Sequence, residues 1–234
     1  MLSGVLYGVG LGPGDPELMT LRAHRLISGA EVVAYPALAG AESFARSIAA
    51  DLIPRSAREI VLDVPMTTER GPAQVAYDAG AGRIAEALDT GSDVICLCEG
   101  DPFFYGSFMY LFARLSMRYP VEVVPGVTSV TTCAAAAGVP LTARNERLTV
   151  LPGPLPEPEL RDRIDGAESV AIMKVGRHLA KVRAVIDALG LTRRAVYVER
   201  ASLPAELVCP LAEAPEKAPY FSMILLTKGT DPWL

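Results

Sequence analysis

A glycine-rich segment near the start of the chain holds the first residues whose types and spacing could do chemistry. Residues 8–16 read GVGLGPGDP and follow a short apolar run, so we expect them to form the loop at the carboxyl end of the first strand. Glycines in such a loop let backbone amides approach a bound molecule closely. The segment therefore predicts a binding site for a small ligand at this edge of a sheet.

The spacing of these glycines argues against a dinucleotide as the ligand. The pattern G-x-G-x-x-G would need glycine at position 13, where Pro13 stands. Asp15 would lie where a pyrophosphate needs amide groups and no negative charge. The second predicted strand ends in Tyr35-Pro36 and lacks the acidic residue that holds a ribose. The P-loop pattern is also missing, so NAD, FAD and ATP are all disfavoured.

Two further predicted strands end in similar loops. Residues 99–102 (EGDP) follow the apolar run 93–98, and residues 125–129 (PGVTS) follow the run 121–124. Taken singly, each could be no more than a turn with a helix cap. Because the carboxyl ends of parallel strands meet at one edge of a sheet, three such loops together predict one shared ligand site.

The elements that must position these loops alternate between strands and helices in the first half of the chain. Such alternation predicts an α/β domain with a mostly parallel sheet. The predicted strands are residues 5–10, 32–35, 59–64, 93–98 and 121–124. The predicted helices are residues 21–28, 43–51, 73–89, 107–118 and 127–137.

The second half of the chain has a different pattern. A strand at 148–151 runs into the proline-rich segment 152–159 (PGPLPEPE), which predicts a turn or linker. Predicted strands then crowd together at 169–175, 195–200, 207–210 and 220–227, with helices near 160 and at 179–189. Closely spaced strands predict a mixed sheet. We therefore expect two α/β domains, 1–122 and 123–234, with the boundary inside the window 121–156.

The composition limits the classes of partner. Half of the 234 residues are hydrophobic and the net charge is −5, so a large core can form. No Lys- or Arg-rich run stands out, whereas a nucleic-acid binder normally carries a basic stripe. The apolar runs are too short to span a membrane, and no basic segment begins the chain. We expect a cytoplasmic protein that binds neither nucleic acid nor membrane.

The cysteines do not form a disulfide pattern. Cys96 and Cys98 would face the same side of a strand, where a metal or redox pair is one interpretation. The favoured interpretation is that they are small buried apolar side chains. We expect no metal site.

The three loop motifs, with the helices that follow them, resemble a known family. GVGLGPGDPELMTLRA, EGDPFFYGSFMYLFARL and VVPGVTSVTTCAAAAGVPLT resemble the tetrapyrrole (corrin/porphyrin) methylase family in order and separation. Residues 171–174, 198–202 and 220–222 match as well, so the resemblance covers essentially the whole chain. EGDPFFYGSFMYLFARL and EIVLDVPMT (59–67) resemble the members that methylate C20 of precorrin-2. Glu99 and Pro36 depart from the members that methylate uroporphyrinogen.

The resemblance implies a two-domain α/β fold, with a mostly parallel N-terminal sheet and a mixed C-terminal sheet. It also implies a homodimer, and S-adenosyl-L-methionine folded in the cleft between the domains, with S-adenosyl-L-homocysteine as product. The cofactor contacts carried over by motif are Pro13, Glu99, Gly100, Asp101, Phe104, Thr128, Ser129, Met173 and Ala201.

The reaction implied by the resemblance is methyl transfer to C20 of precorrin-2, giving precorrin-3A, in cobalamin (corrin ring) biosynthesis. The sulfonium donor is already activated, so the protein needs no nucleophile of its own. Positioning alone can lower such a barrier by about 7–11 kcal/mol. Asp15, Glu99, Asp101 and Tyr105 lie in the right motifs to orient groups or relay a proton, but none is identified as the base that accepts the C20 proton.

Substrate binding makes an electrostatic demand on this acidic chain. Precorrin-2 carries several carboxylate arms, and arginine grips carboxylates in a bidentate manner. Aromatic side chains of the FFY run could line a flat macrocycle. The predicted substrate-binding residues are Tyr105, Arg144, Arg147, Lys174, Arg177, His178 and Arg200.

Three alternatives stay open. The nearest is the cobalt-containing counterpart of the same substrate, cobalt-factor II of the early-cobalt route, which nothing in the sequence separates from the metal-free ring. A second is a family member that acts on diphthine or ribosomal RNA, against which the missing basic stripe counts. A third is a non-catalytic protein that binds a tetrapyrrole or the cofactor. That protein would have degraded loops, whereas all three loops are intact here.

Overall fold

The computed structural model describes residues 3–38, 40–65 and 70–229. The chain divides into two compact units, Met1–Thr128 and Ser129–Leu234. This division falls inside the window that the sequence left open, while the limits 1–122 and 123–234 stay a prediction. Met66 and Thr67, which end the motif EIVLDVPMT, lie outside the described residues.

The first unit contains a parallel sheet whose strands all end at the same edge. The strands are β1 (Leu6–Gly10), β2 (Val32–Ala37), β3 (Arg58–Asp63), β4 (Val94–Cys98) and β5 (Val121–Val124). The strand order is β3-β2-β4-β1-β5, and each pair in it is parallel, as predicted. The helices are α1 (Leu21–Ser28), α2 (Phe44–Ile48), α3 (Arg70–Asp89) and α4 (Phe108–Leu115).

The central strand β4 is buried along its whole length and separates two apolar clusters. Successive side chains of a strand point to opposite faces. Cys96 and Cys98 therefore pack with Phe108 on one face, while Leu97 packs with Val9 on the other. Burial raises the pKa of both thiols. Both cysteines are thus inert packing groups, which was the favoured interpretation.

The second unit contains a mixed sheet, as predicted. Its strands are β6 (Leu148–Pro152), β7 (Ser169–Met173), β8 (Ala195–Glu199), β9 (Leu207–Pro210) and β10 (Ser222–Thr227), in the order β6-β7-β10-β8-β9. β6 and β7 are parallel, whereas β10 runs antiparallel to both β7 and β8. The carboxyl ends of β6, β7 and β8 therefore share one edge with the start of β10. The helices are α5 (Ser129–Ala137), α6 (Glu157–Asp165) and α7 (Leu179–Ala188).

Several predicted boundaries differ from the observed ones; for example, the helices predicted at 43–51 and 107–118 end at Ile48 and Leu115. The proline-rich segment does not form a linker as far as residue 159, because α6 begins at Glu157 with a proline in its first turn. Proline is tolerated there, since the first N–H groups of a helix have no partner inside it. The helix predicted at 127–137 begins only at Ser129. Among the described residues, no helix combines the length and the apolar character that crossing a membrane would require.

Candidate functional site

The loops that follow β1 and β4 are joined directly through their backbones. The Gly100 N–H donates to the Gly12 carbonyl oxygen at 2.7 Å, and the Gly12 N–H donates back to the Gly100 oxygen at 3.2 Å. The Leu11 N–H donates to the Cys98 carbonyl oxygen at 2.9 Å. The first two predicted ligand loops therefore form one hydrogen-bonded pair at the carboxyl edge of the first sheet.

The loop after β5 packs against both of them through glycines that leave no room for a side chain. A Cβ atom added at Gly10 would lie 2.6 Å from the Gly126 nitrogen and 2.7 Å from the Gly100 oxygen. A Cβ atom added at Gly126 would lie 2.0 Å from that same oxygen. Real Cβ atoms do not come this close to backbone, so glycine is required at both positions. The shared edge predicted for the three loops is thereby observed.

The Asp101 side chain joins the loop after β4 to the loop after β5 by hydrogen bonds. Its Oδ1 atom accepts hydrogen bonds from the backbone N–H groups of Phe103 and Phe104 at 2.9 and 3.0 Å. Its Oδ2 atom accepts the Gly126 N–H at 3.0 Å. Hydrogen bonds to a charged acceptor are the strong ones in proteins. The Asp101 carboxylate therefore holds the backbone of two loops through both of its oxygens.

The two loop aspartates, Asp15 and Asp101, have different roles in the structure. Asp15 caps the short 3-10 helix Pro16–Leu18 by accepting the Glu17 N–H at 2.9 Å. No helix begins at Pro102, because α4 begins at Phe108. Asp101 therefore caps a turn and joins two loops, whereas Asp15 caps a helix. The sequence reading missed the Asp101–Gly126 bond, because it joins two loops that only the strand order brings together.

Glu99 carries a partly buried carboxyl group at the end of β4. Burial raises the pKa of its carboxyl group. Within the described part of the chain, no hydrogen bond or ion pair engages this carboxyl. A half-buried carboxylate without a cation is costly by itself, and a positively charged ligand would remove that cost. Glu99 thus gives the edge of the first sheet a group suited to a cationic ligand.

The other predicted cofactor contacts lie in several places. Pro13, Gly100 and Phe104 belong to the loops after β1 and β4, and Thr128 is the last residue of the first unit. Ser129 begins α5, Met173 ends β7, and Ala201 follows β8 closely. Met173 and Ala201 therefore lie at one edge of the second sheet. These contacts stay predictions.

Several predicted substrate-binding cations lie at the carboxyl edge of the second sheet. Lys174 follows β7 directly, and Arg200 follows β8 directly. Arg177 and His178 belong to the short 3-10 helix Gly176–His178 that continues from β7. Burial lowers the pKa of His178, and the charges of Lys181 and Arg177 lower it further. The permanent positive charge at this edge therefore comes from the lysine and the arginines.

Four of the seven predicted substrate-binding residues have a left-handed backbone. Their φ angles are 57° at Tyr105, 47° at Arg144, 56° at Lys174 and 50° at Arg200. Ser202 is the one other residue besides glycine with this conformation in the described part of the chain. Such conformations are uncommon for residues with a Cβ atom, and they cluster at functional sites where surrounding structure enforces them. The backbone therefore singles out these side chains independently of their charge.

Arg147 does not lie at the edge that carries Lys174, Arg177, His178 and Arg200. It precedes β6, so it is at the opposite edge of the second sheet from Lys174 and Arg200. Its guanidinium Nε donates to Glu168 at 3.1 Å, and its backbone N–H donates to the same carboxylate oxygen at 2.7 Å. The sequence could have signalled this position, because Arg147 stands before the predicted strand and not after one.

The chain is similar over its length to proteins of one family. Residues 5–215 match the family described as Tetrapyrrole (Corrin/Porphyrin) Methylases. A Sinorhizobium sp protein named Precorrin-2 C(20)-methyltransferase is 43% identical over 237 residues, which cover 97% of each chain. The Salmonella typhimurium protein named Cobalt-precorrin-2 C(20)-methyltransferase is 29% identical over 231 residues, covering 97% of this chain and 98% of that protein.

A solved structure shares the fold. It is the crystal structure of a uroporphyrin-III C-methyltransferase from Thermus thermophilus complexed with S-adenyl homocysteine. It is 26% identical, covers 96% of this chain and 98% of its own, and superposes with a TM-score of 0.69. The fold class expected from the sequence is confirmed.

Proposed function

The chain belongs to the tetrapyrrole (corrin/porphyrin) methylase family, and on that premise we propose that it methylates C20 of precorrin-2 with S-adenosylmethionine. The product is precorrin-3A, an intermediate of cobalamin biosynthesis. The observation that carries the proposal is the similarity, over nearly the whole of both chains, to the Sinorhizobium protein named for this reaction.

The cofactor supplies an activated methyl group on a sulfonium, so the work left to the protein is binding and orientation. Backbone groups of the three joined loops face the carboxyl edge of the first sheet, where ligands of α/β sheets bind. The Asp101 bonds and the contacts among Gly10, Gly100 and Gly126 fix those loops before any ligand arrives. Preorganisation of this kind lowers the entropy cost of holding two reactants in line.

Glu99 is the side chain in these loops that we propose to face the positive charge of S-adenosylmethionine. Its carboxyl has a raised pKa through burial, and a cation nearby would favour its ionised form. S-adenosylhomocysteine lacks the sulfonium charge, so the product would gain less from this carboxylate than the substrate does. This difference favours release of the spent cofactor.

The substrate is proposed to bind through its carboxylate arms at the cationic edge of the second sheet. Lys174, Arg177 and Arg200 concentrate positive charge there in a chain whose net charge is −5. An arginine can bind both oxygens of a carboxylate with its planar guanidinium, whereas a lysine binds as a point charge. Tyr105 is proposed to contact the macrocycle, because this residue is 44% exposed in the loop that Asp101 holds.

Replacing Lys174 by glycine should weaken substrate binding without destabilising the fold. Glycine adopts the φ of 56° without steric cost, so the variant should fold, with a free energy of unfolding within about 1 kcal/mol of the wild-type value. The KM for precorrin-2 should rise about tenfold through loss of a charge-assisted hydrogen bond, with S-adenosylhomocysteine affinity unchanged. Chemical denaturation and steady-state turnover would measure the two effects.

Lys217→Gly is the matched control for that variant. Lys217 is an exposed lysine whose backbone is not left-handed, so the same substitution relieves no strain. It should leave KM unchanged and add no stability. An unchanged KM in Lys174→Gly would contradict the proposed role of Lys174.

A second candidate substrate is the cobalt-containing form of the same ring. The similarity to the Salmonella typhimurium protein favours it, although the identity is 29% there against 43% for the protein named for the metal-free ring. Parallel turnover of both rings would decide between them. The metal-free ring is the substrate that the higher identity supports.

We also propose that the chain acts as a homodimer in the cytoplasm, without nucleic acid or membrane as partner. The family resemblance supports the dimer, and the acidic net charge of −5 supports the absence of a nucleic-acid partner. Analytical ultracentrifugation of the purified protein tests the dimer directly.

Two measurements together test the proposed function. Calorimetric titration with S-adenosylhomocysteine should give saturable binding at one site per chain. Anaerobic turnover of precorrin-2 should then replace one ring hydrogen by a methyl group, so that the mass of the product exceeds that of the substrate by one CH2 unit. Binding without turnover of either ring would leave a cofactor-binding protein and contradict the proposed reaction, whereas no binding would contradict both.

A further inference from the structure

A buried polar network lies at the end of β8, directly beside one of the predicted substrate cations. Glu199 is 8% exposed, and its Oε2 atom accepts a hydrogen bond from the hydroxyl of Tyr197 at 2.7 Å. Its Oε1 atom accepts from the Arg200 guanidinium. Tyr197 is fully buried in the core of the second unit. The three side chains therefore form a chain of contacts from the core to the surface.

The backbone of Arg200 makes this arrangement possible. Tyr197 and Glu199 are two residues apart on a strand, so their side chains lie on the same face. Arg200 is the next residue and would point to the opposite face if the strand continued. Its φ of 50° ends the strand and allows the guanidinium to return to the Glu199 carboxylate. The left-handed conformation is thus tied to the ion pair.

Backbone contacts hold the same turn from a neighbouring strand. The Arg200 N–H donates to the Phe221 carbonyl oxygen at 2.9 Å, just before β10 begins. The Ser222 hydroxyl accepts the Gly176 N–H at 3.2 Å and donates to the Pro219 carbonyl oxygen at 2.8 Å. The turns after β7 and β8 are therefore both attached to the start of β10, and Arg200 has a fixed place on that edge.

The two sides of the ion pair differ in exposure. The side chain of Glu199 is 10% exposed, whereas that of Arg200 is 40% exposed. A guanidinium carries five N–H donors in a planar fork, and one bond to Glu199 leaves others for a second carboxylate. A buried carboxylate keeps its charge only when it is paired and hydrogen-bonded. The Glu199 carboxylate is thus buried behind the more exposed guanidinium of Arg200.

We propose that Glu199, itself fixed by Tyr197, is a positioning residue that holds the Arg200 guanidinium in place for one carboxylate arm of the substrate. The inference rests on the proposed function for the identity of the substrate, and adds a residue that acts through Arg200 without touching the substrate. Its contribution is preorganisation, because an arginine held in its bound geometry loses less side-chain entropy when the carboxylate arrives. The effect should therefore appear in KM and not in kcat.

The first unit provides a matched control of the same composition. The Tyr35 hydroxyl donates to Glu59 at 2.5 Å, and the Arg46 guanidinium donates to both oxygens of that carboxylate at 2.7 and 2.9 Å. Hydrogen bonds from Arg46 hold the pKa of Glu59 below its ordinary value. Glu59→Gln removes a paired carboxylate of the same kind from a trio that has no proposed contact with substrate.

The test compares Glu199→Gln, Arg200→Ala, the double variant and Glu59→Gln in the full-length enzyme. Glutamine keeps an acceptor for Tyr197 but removes the charge that holds Arg200. Glu199→Gln should raise the KM for precorrin-2 about tenfold, as for one charge-assisted hydrogen bond, and leave kcat and S-adenosylhomocysteine affinity unchanged. In the Arg200→Ala background the same change should add nothing, because residues that act as a pair are not additive. Glu59→Gln should leave KM unchanged.

A structural measurement tests the positioning without substrate. In nitrogen-15 NMR of the wild-type protein, the Arg200 Nη1–H signal, identified by its loss in Arg200→Lys, should exchange slowly with water, because Nη1 is the atom that donates to Glu199. Glu199→Gln should make it exchange fast, and Tyr197→Phe should have a smaller effect in the same direction. Tyr197→Phe also replaces Glu199→Gln in the kinetic test if the latter does not fold.

Each outcome bears on the proposal. An unchanged KM in Glu199→Gln, or additive effects of the two substitutions, would overturn it. Parallel losses of kcat and cofactor affinity would assign Glu199 a general structural role instead. A wild-type enzyme that methylates neither form of the ring would contradict the proposed function itself, which wild-type turnover separates from a failure of the positioning role alone.

Discussion

Replacing Gly126 by alanine is expected to abolish S-adenosylhomocysteine binding and to destabilise the first unit. The new Cβ atom would lie 2.0 Å from the Gly100 oxygen and 3.0 Å from the Gly10 carbonyl carbon. Both neighbours are backbone, so no side chain can rotate away, and the third loop must move from the other two. Overpacking of this kind costs about 3 kcal/mol. Thermal unfolding and calorimetric titration would measure the two losses.

Gly82→Ala is the control for this substitution. Gly82 lies within α3 at an exposed position, and a Cβ atom added there meets nothing within 4 Å. Alanine should raise the free energy of unfolding by about 1 kcal/mol, which is the difference in helix propensity. Ordinary binding by Gly126→Ala, with the melting temperature of the wild type, would show that the three loops do not need this contact.

Asp101→Ala should cause the second large loss of cofactor affinity. Three backbone N–H groups, at 2.9, 3.0 and 3.0 Å, would lose a charged acceptor together. Each bond to a charged group contributes about 1.5–3 kcal/mol, so a hundredfold or larger loss of affinity for S-adenosylhomocysteine is expected. Calorimetry measures this loss, and unchanged affinity would mean that Asp101 is only a turn cap.

Two further variants separate the roles of the Asp101 oxygens. Asp101→Asn keeps one acceptor oxygen but presents an amide donor in place of the other, so it should lose one attachment and keep part of the affinity. Asp15→Ala removes the acceptor for the Glu17 N–H at 2.9 Å, which caps a single helical turn. Its cost should be about 1 kcal/mol of stability, with a smaller effect on binding than Asp101→Ala.

The loops of the first sheet could be predicted because their signals are local. Apolar runs ending in glycine and a small acidic residue mark the carboxyl ends of β1 and β4, and the structure has those loops where they were expected. The contact between Gly10 and Gly126 could not be predicted in the same way. It depends on the order β4-β1-β5, which sets which loops become neighbours and which no local pattern encodes.

The positions of the candidate substrate residues in the fold do not follow from their charge and sequence proximity. Arg147 follows the third motif closely in sequence, yet it precedes β6 and pairs with Glu168 at the other edge of the sheet. No sequence pattern predicts the left-handed backbone of Lys174 and Arg200, because neither residue type favours that conformation. These features are set by tertiary contacts, such as the bond from the Arg200 N–H to Phe221.

The same limit applies to Glu199. Strand alternation places Tyr197 and Glu199 on one face of β8, which a pattern reading can supply. That this face is buried in the second unit, and that Arg200 turns back to neutralise the carboxylate, follows only from the packing of β10 against β8. A buried polar group whose partner lies in a turn can therefore be recognised from the structure but not from the sequence pattern.

The central claim is methyl transfer to C20, and carbon-13 NMR of the product tests it most directly. The purified protein would be incubated anaerobically with precorrin-2 and S-adenosylmethionine labelled with carbon-13 in its methyl group. We predict one labelled methyl group bonded to C20 and to no other ring carbon. A labelled methyl on a different carbon, or an unlabelled ring with the cofactor bound, would contradict the account.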